Sequence, residues 1–116
     1  KLKKGNLKIK KIDFDTKIPI KDTEFIIMKD EKIIYQGKTN ADGIIELNDL
    51  VYGIYKIKEV MASNGYLLNE MIYEVKIDDE NKDVYIEIEN KLKKGNLKIK
   101  KIDFDTKIFS KILQII

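Results

Sequence analysis

Residues 1–18 of this chain return letter for letter as residues 91–108. An identity at that spacing sets the size of whatever folds: a unit of about 90 residues, present once whole and once only at its start. The expected organisation is a linker over 1–4 and one domain over 5–90. Residues 91–116 then hold a linker and the truncated start of a second identical repeat. That match ends at Ile108, and a divergent tail follows. The chain therefore reads as a piece of a longer tandem array, with neighbouring repeats of the same polypeptide as its first partners.

Within the unit the apolar residues alternate with polar ones, the period of a strand. Leu7, Ile9 and Lys11 share one face of the opening strand, with Lys8, Lys10 and Ile12 on the other. Further strands are expected around Thr23–Met28, Ile33–Gln36, Ile44–Leu47, Ile54–Glu59, Met71–Ile77 and Val84–Asn90. Turn signals separate them at Asp15–Pro19, Lys29–Lys32, Ala41-Asp42-Gly43, Ser63–Tyr66 and Asp78–Lys82. Seven short strands at this spacing, with no helical period, predict an all-β, Ig-like sandwich. A hydrophobic content of 43% suffices for its core.

Composition removes several function classes. There is no cysteine and no histidine, so disulfides, thiolate zinc sites and histidine acid–base chemistry lose their residues. No cofactor and no metal are expected. Asp13, Asp15 and Asp42 read as solvated turn carboxylates in preference to an ion site. The net charge of +3 misleads. Residues 1–90 hold 15 Lys against 18 Asp and Glu, whereas 91–116 hold 8 Lys against 2 Asp. The folding unit is mildly acidic, which argues against a nucleic-acid partner. No apolar run is long enough for direct membrane insertion in this fragment.

Three polar residues end three inward-facing strand patterns. Lys11 follows Leu7 and Ile9, Glu59 follows Tyr55 and Ile57, and Asn90 follows Val84, Ile86 and Ile88. Strand parity points each toward the core, where a lone charge is expensive. Each also has an ordinary reading. Lys11 can snorkel from the edge, Glu59 can be a solvated strand end, and Asn90 a linker residue.

Several motifs carry a resemblance. They are Leu7-x-Ile9-x-Lys11-x-Asp13, Ile20 with Phe25, Thr39-x-x-Asp42-Gly43, and Leu50-x-x-Gly53-x-Tyr55-x-Ile57-x-Glu59. Gly65-Tyr66 and Ile86-x-Ile88-x-Asn90 complete the set. Over residues 5–90 the chain resembles a Cna B-type domain, the SpaA-like, prealbumin-like module of Gram-positive surface adhesins and pilins. It departs at Asp22-Thr23, where that family often has Gly-Ala, and at Ala62-Ser63, where Ala-Pro is usual.

The resemblance implies a seven-stranded prealbumin-like sandwich followed by the orphan first strand of the next repeat. It also implies a spontaneous isopeptide bond, with Lys11 as nucleophile, Asn90 as acceptor and Glu59 as proton shuttle. A protonated Glu59 would donate to the Asn90 carbonyl oxygen and then pass its proton to the departing ammonia. An amine attacks only when neutral, and burial favours the neutral amine.

The chain would then be no enzyme, at most a single-turnover intramolecular reactant. Its implied role is a stalk or spacer repeat of an extracellular, cell-wall-attached adhesin or pilin-like protein. The alternative is a ligand-binding module that contacts host matrix or carbohydrate. Lys101 repeats Lys11 with no second Glu59 or Asn90 to serve it.

Overall fold

The computed structural model describes residues 2–93. Seven strands follow one another: β1 Lys4–Asp13, β2 Glu24–Lys29, β3 Lys32–Lys38, β4 Ile44–Val51, β5 Gly53–Met61, β6 Ile72–Ile77 and β7 Asp83–Asn90. They form a three-stranded sheet in the order β4-β1-β7 and a four-stranded sheet in the order β3-β2-β5-β6. This is the expected all-β, prealbumin-like sandwich. The proposed orphan strand of a second repeat, with Lys101, lies outside the described residues.

The core follows from strand parity. Leu7 and Ile9 of β1, Phe25 and Ile27 of β2, Tyr55 and Ile57 of β5, Ile77 of β6 and Ile88 of β7 are fully buried between the sheets. Their sequence neighbours point outward, and Ile54, Lys56 and Lys58 on β5 are exposed. β-branched and aromatic side chains suit such a half-buried pleated surface.

The order of the three-stranded sheet fixes the site. β1 lies in its middle, antiparallel to β4 and parallel to β7. Leu7 is level with Val84, Ile9 with Ile86, Lys11 with Ile88 and Asp13 with Asn90. Parallel neighbours place the start of β1 and the end of β7 at opposite ends of the sheet. The chain thus enters at one pole and leaves at the other.

Two differences from the sequence reading have local causes. β4 runs on to Val51, because Gly5 and Lys4 pair with Leu50 and Val51 across an irregularity between Gly5 and Leu7. Ile12, assigned by parity to the outer face, is buried at 5% exposure. The segment after β1 folds back over that face, where Ile12 bridges Pro19 and Asp13 N–H donates to Ile18 O at 2.9 Å.

Thr39 and Gly43 hold this fold-back in place. Thr39 Oγ1 donates to Ile20 O at 2.8 Å and accepts from Thr23 N at 3.0 Å. Gly43 O accepts from Lys11 N at 2.7 Å. Gly43 has φ +74, and a Cβ there would stand 2.6 Å from Lys11 O. Only glycine fits that approach.

Asp22 takes φ +61, the left-handed conformation suited to the glycine often found there in the resembled family. Thr23 is wholly buried, and its Oγ1 finds no hydrogen-bond partner among the described residues. A buried hydroxyl without a partner destabilises, and its isosteric methyl does not. Thr23→Val should therefore raise the unfolding free energy by about 1 kcal/mol, measured by urea titration. A loss of that size would show that the hydroxyl is bonded.

Candidate functional site

The structure brings Lys11, Glu59 and Asn90 together at one end of the core. All three are buried, at 0%, 2% and 2% exposure. Lys11 and Asn90 come from adjacent parallel strands, offset by two residues. Glu59 comes from β5 in the opposite sheet, level with Phe25 of β2. The polar cluster therefore bridges the two layers where the apolar core ends.

Lys11 Nζ lies 2.8 Å from Glu59 Oε1 and donates to Asn90 Oδ1 at 2.5 Å. Asn90 Nδ2 donates to Glu59 Oε2 at 2.8 Å. Each residue thus touches the other two, and Glu59 uses a different oxygen for each. The Phe25 ring centroid stands 5.7 Å from Nζ, a cation–π distance. Burial pulls the Lys11 pKa below its ordinary 10.5, against the upward pull of the Glu59 hydrogen bond and charge.

One detail differs from expectation. Glu59 meets the amide nitrogen of Asn90, not its carbonyl oxygen. Donor–acceptor matching explains this: the lysine supplies the donor to Oδ1, which leaves the amide N–H groups to the carboxylate.

Two supports were not anticipated. Asn69, in the β5–β6 connection, donates its backbone N–H to Glu59 Oε2 at 3.1 Å. Its own side chain is tied to Tyr73 OH at 2.9 Å and Glu89 O at 3.2 Å. Nothing in the alternation marks a loop asparagine for this role.

Asp13 is the second, and its reading as a solvated turn carboxylate is corrected. It is 3% exposed and accepts from Asp15 N at 2.8 Å, Thr16 N at 2.9 Å and Tyr66 OH at 2.8 Å. The signal lay in parity, since Asp13 is the next inward position after Lys11. Tyr66 is half-buried beside this contact. Tyr35 and Tyr52 likewise pack on the core. Among the described residues no group of three His, Cys, Asp or Glu could hold a metal ion.

Comparison with known proteins gives these positions a context. The SpaA family, a prealbumin-like fold domain, matches residues 5–92. The collagen adhesin of Staphylococcus aureus is 33% identical over 97 residues, which cover 75% of this chain and 8% of that protein. Among solved structures, the Bacillus anthracis TIE protein matches with a TM-score of 0.69 and 28% identity, over 76% of this chain and 16% of its own. The group B streptococcus pilus 2b backbone protein matches with a TM-score of 0.70 and 25% identity, over 78% and 42% respectively. The chain thus spans less than half the length of each of these relatives.

The Asp13 cluster yields a pH prediction. The Thr16 amide, the Tyr66 hydroxyl and the Asp15 amide hold its carboxyl below the ordinary 3.8. A folded pKa below the unfolded one gives stability that is present above about 3.8 and is lost as pH falls through the folded value. Tyr66→Phe should raise the Asp13 pKa in a carboxyl-detected NMR titration, and Asp13→Asn should flatten the acid limb of the stability curve. An Asp13 pKa unmoved by Tyr66→Phe would contradict the assignment.

Proposed function

The chain belongs to the SpaA family of prealbumin-like fold domains, and from that premise we propose that it is a structural stalk repeat of a Gram-positive cell-surface adhesin or pilin-like protein. Its relatives include a collagen adhesin and a pilus backbone protein. In this reading the repeat acts outside the cell, attached to the wall, and an isopeptide bond between Lys11 and Asn90 locks it. The observation that carries the proposal is Glu59, with Oε1 on the Lys11 amine and Oε2 on the Asn90 amide nitrogen.

The chemistry follows from those contacts. Transfer of one proton from Lys11 to Glu59 leaves a neutral amine beside a carboxylic acid, a pairing that burial favours over two isolated charges. Nζ attacks Cγ of Asn90 and forms the new C–N bond. Glu59 delivers a proton to Nδ2, the Cγ–Nδ2 bond breaks, and ammonia leaves. The attacking nitrogen gives up one proton to Glu59, and the ammonia takes that proton from Glu59 and departs as ammonium. Glu59 is then a carboxylate again.

Folding provides the proximity. A fixed near-attack arrangement removes about 7–11 kcal/mol of barrier. Each chain reacts once, so the domain is a reactant and not a turnover catalyst.

The product explains why β1 and β7 are parallel neighbours. Tension between the two poles would enter along β1 as far as Lys11, cross the new bond, and leave at Asn90. Residues 12–89 would carry none of it. Closing a loop of that length would also stabilise the fold by roughly 4–5 kcal/mol, by analogy with disulfides.

Two measurements test the proposal. Intact-mass spectrometry should find the folded chain lighter than its sequence by one ammonia, with Glu59→Gln folded at full mass. A folded, unmodified chain at full mass would refute the bond. Pulled from its ends in single-molecule force spectroscopy, the cross-linked domain should release no length from residues 12–89, whereas Glu59→Gln should release all of it. A full-length release from the cross-linked domain would remove the load-bearing role.

A further inference from the structure

Lys1-Leu2-Lys3 and Lys91-Leu92-Lys93 are the same tripeptide, and the ends of the described chain show it in two different settings. At the leading pole, Lys3 O accepts from Tyr52 N at 3.2 Å. Lys3 Nζ lies 3.3 Å from Asp79 Oδ2, and the Tyr52 hydroxyl also donates to Asp79, at 2.9 Å. At the trailing pole, Lys91 O accepts from Leu67 N at 2.9 Å, and Lys93 N donates to Gly65 O at 2.8 Å. Leu92 bridges Tyr66 between them.

The two settings use different atoms of the same peptide. The trailing pole engages the carbonyl of the first residue and the N–H of the third. The leading pole engages the carbonyl and ammonium of the third. From this we propose that in a tandem array the linker is gripped by both repeats at once and leaves no hinge. Lys93 is the shared residue. Its N–H is held by Gly65 of its own repeat, while its C=O and Nζ are held by the Tyr52 and Asp79 counterparts of the following one.

The inference rests on the tandem reading of the 1–18 and 91–108 identity, and it adds a partner surface to the stalk. Short linkers with free backbone groups let domains reorient, which is the ordinary expectation for neighbouring domains. Here every grip is anchored in turn. The Gly65–Leu67 segment is tied through Tyr66 to Asp13 at 2.8 Å, beside the buried triad.

The shared grip also selects what covers the trailing pole. Next to Lys93 is an open depression of about 390 Å³, bordered by Val60, Met61, Leu67 and Leu68. Met61 and Leu67 are 54% and 50% exposed. The element that a shared Lys93 brings against it is the β4–β5 turn of the next repeat, around its Asp49–Tyr52 counterpart. Leu92, 47% exposed here, and Leu2, 73% exposed, are one residue in the array and are covered from both sides.

The test uses this chain and a two-repeat protein in which residues 5–90 are written again after Lys94. In the present chain, the Lys93 and Tyr52 amides should exchange at least about tenfold more slowly than in a free peptide. In the two-repeat protein, residual dipolar couplings from both repeats should fit one alignment tensor. Lys93→Pro, which removes the N–H held by Gly65, should split them into two while each repeat keeps its own chemical shifts. Two folded repeats with independent tensors before that change would overturn the shared linker and leave the stalk reading standing. A second copy that does not fold would instead overturn the tandem premise beneath it.

Discussion

A lysine with no exposed surface is the constraint on which the rest of this structure depends. Its ammonium sits 2.8 Å from a glutamate that is itself 2% exposed. Such a pair is costly to bury, and removing one member strands the other at a cost of about 3–5 kcal/mol. Three features make it tenable. Asn90 satisfies both partners, the Asn69 amide supports Glu59, and the Phe25 ring faces the ammonium. Conversion of the Lys11 amine into an amide would remove its buried positive charge and leave Glu59 held by the Asn69 amide.

The topology is arranged around this contact. Lys11 can meet Asn90 only because the first strand lies inside the sheet, parallel to the last. It can meet Glu59 only because β5 crosses opposite, in register with Phe25. The fold-back after β1 seals the outer side with Ile12 and Ile20, both 5% exposed. Gly43 clamps the Lys11 backbone from the β4 side. The same end of the domain holds the Asp13–Tyr66 bond and the contacts of Lys91 and Lys93 with the Gly65–Leu67 segment, beside the buried triad.

Much of this was legible in the alternation of the strands. Parity alone placed Lys11, Glu59 and Asn90 inward, and the run from Gly53 to Glu59 appears as an alternately buried strand. Parity failed where a strand's outer face acquires its own cover, as at Ile12 beneath Pro19. It was not carried far enough at Asp13, whose burial depends on amides two and three residues ahead and on a tyrosine 53 positions away. Asn69 was invisible for a different reason. Its contribution to Glu59 is a backbone N–H, which any residue but proline possesses there, so no side-chain pattern reports it.

The most direct measurement is a cross-link map of the full chain carrying Lys101→Arg, which removes the one amine whose flanking sequence duplicates that of Lys11. After proteolysis and fragmentation, a Lys11–Asn90 bond yields a branched peptide lighter by one ammonia than its two linear parts. Recovery of Lys11 and Asn90 only in separate, unmodified peptides from the folded protein would contradict it.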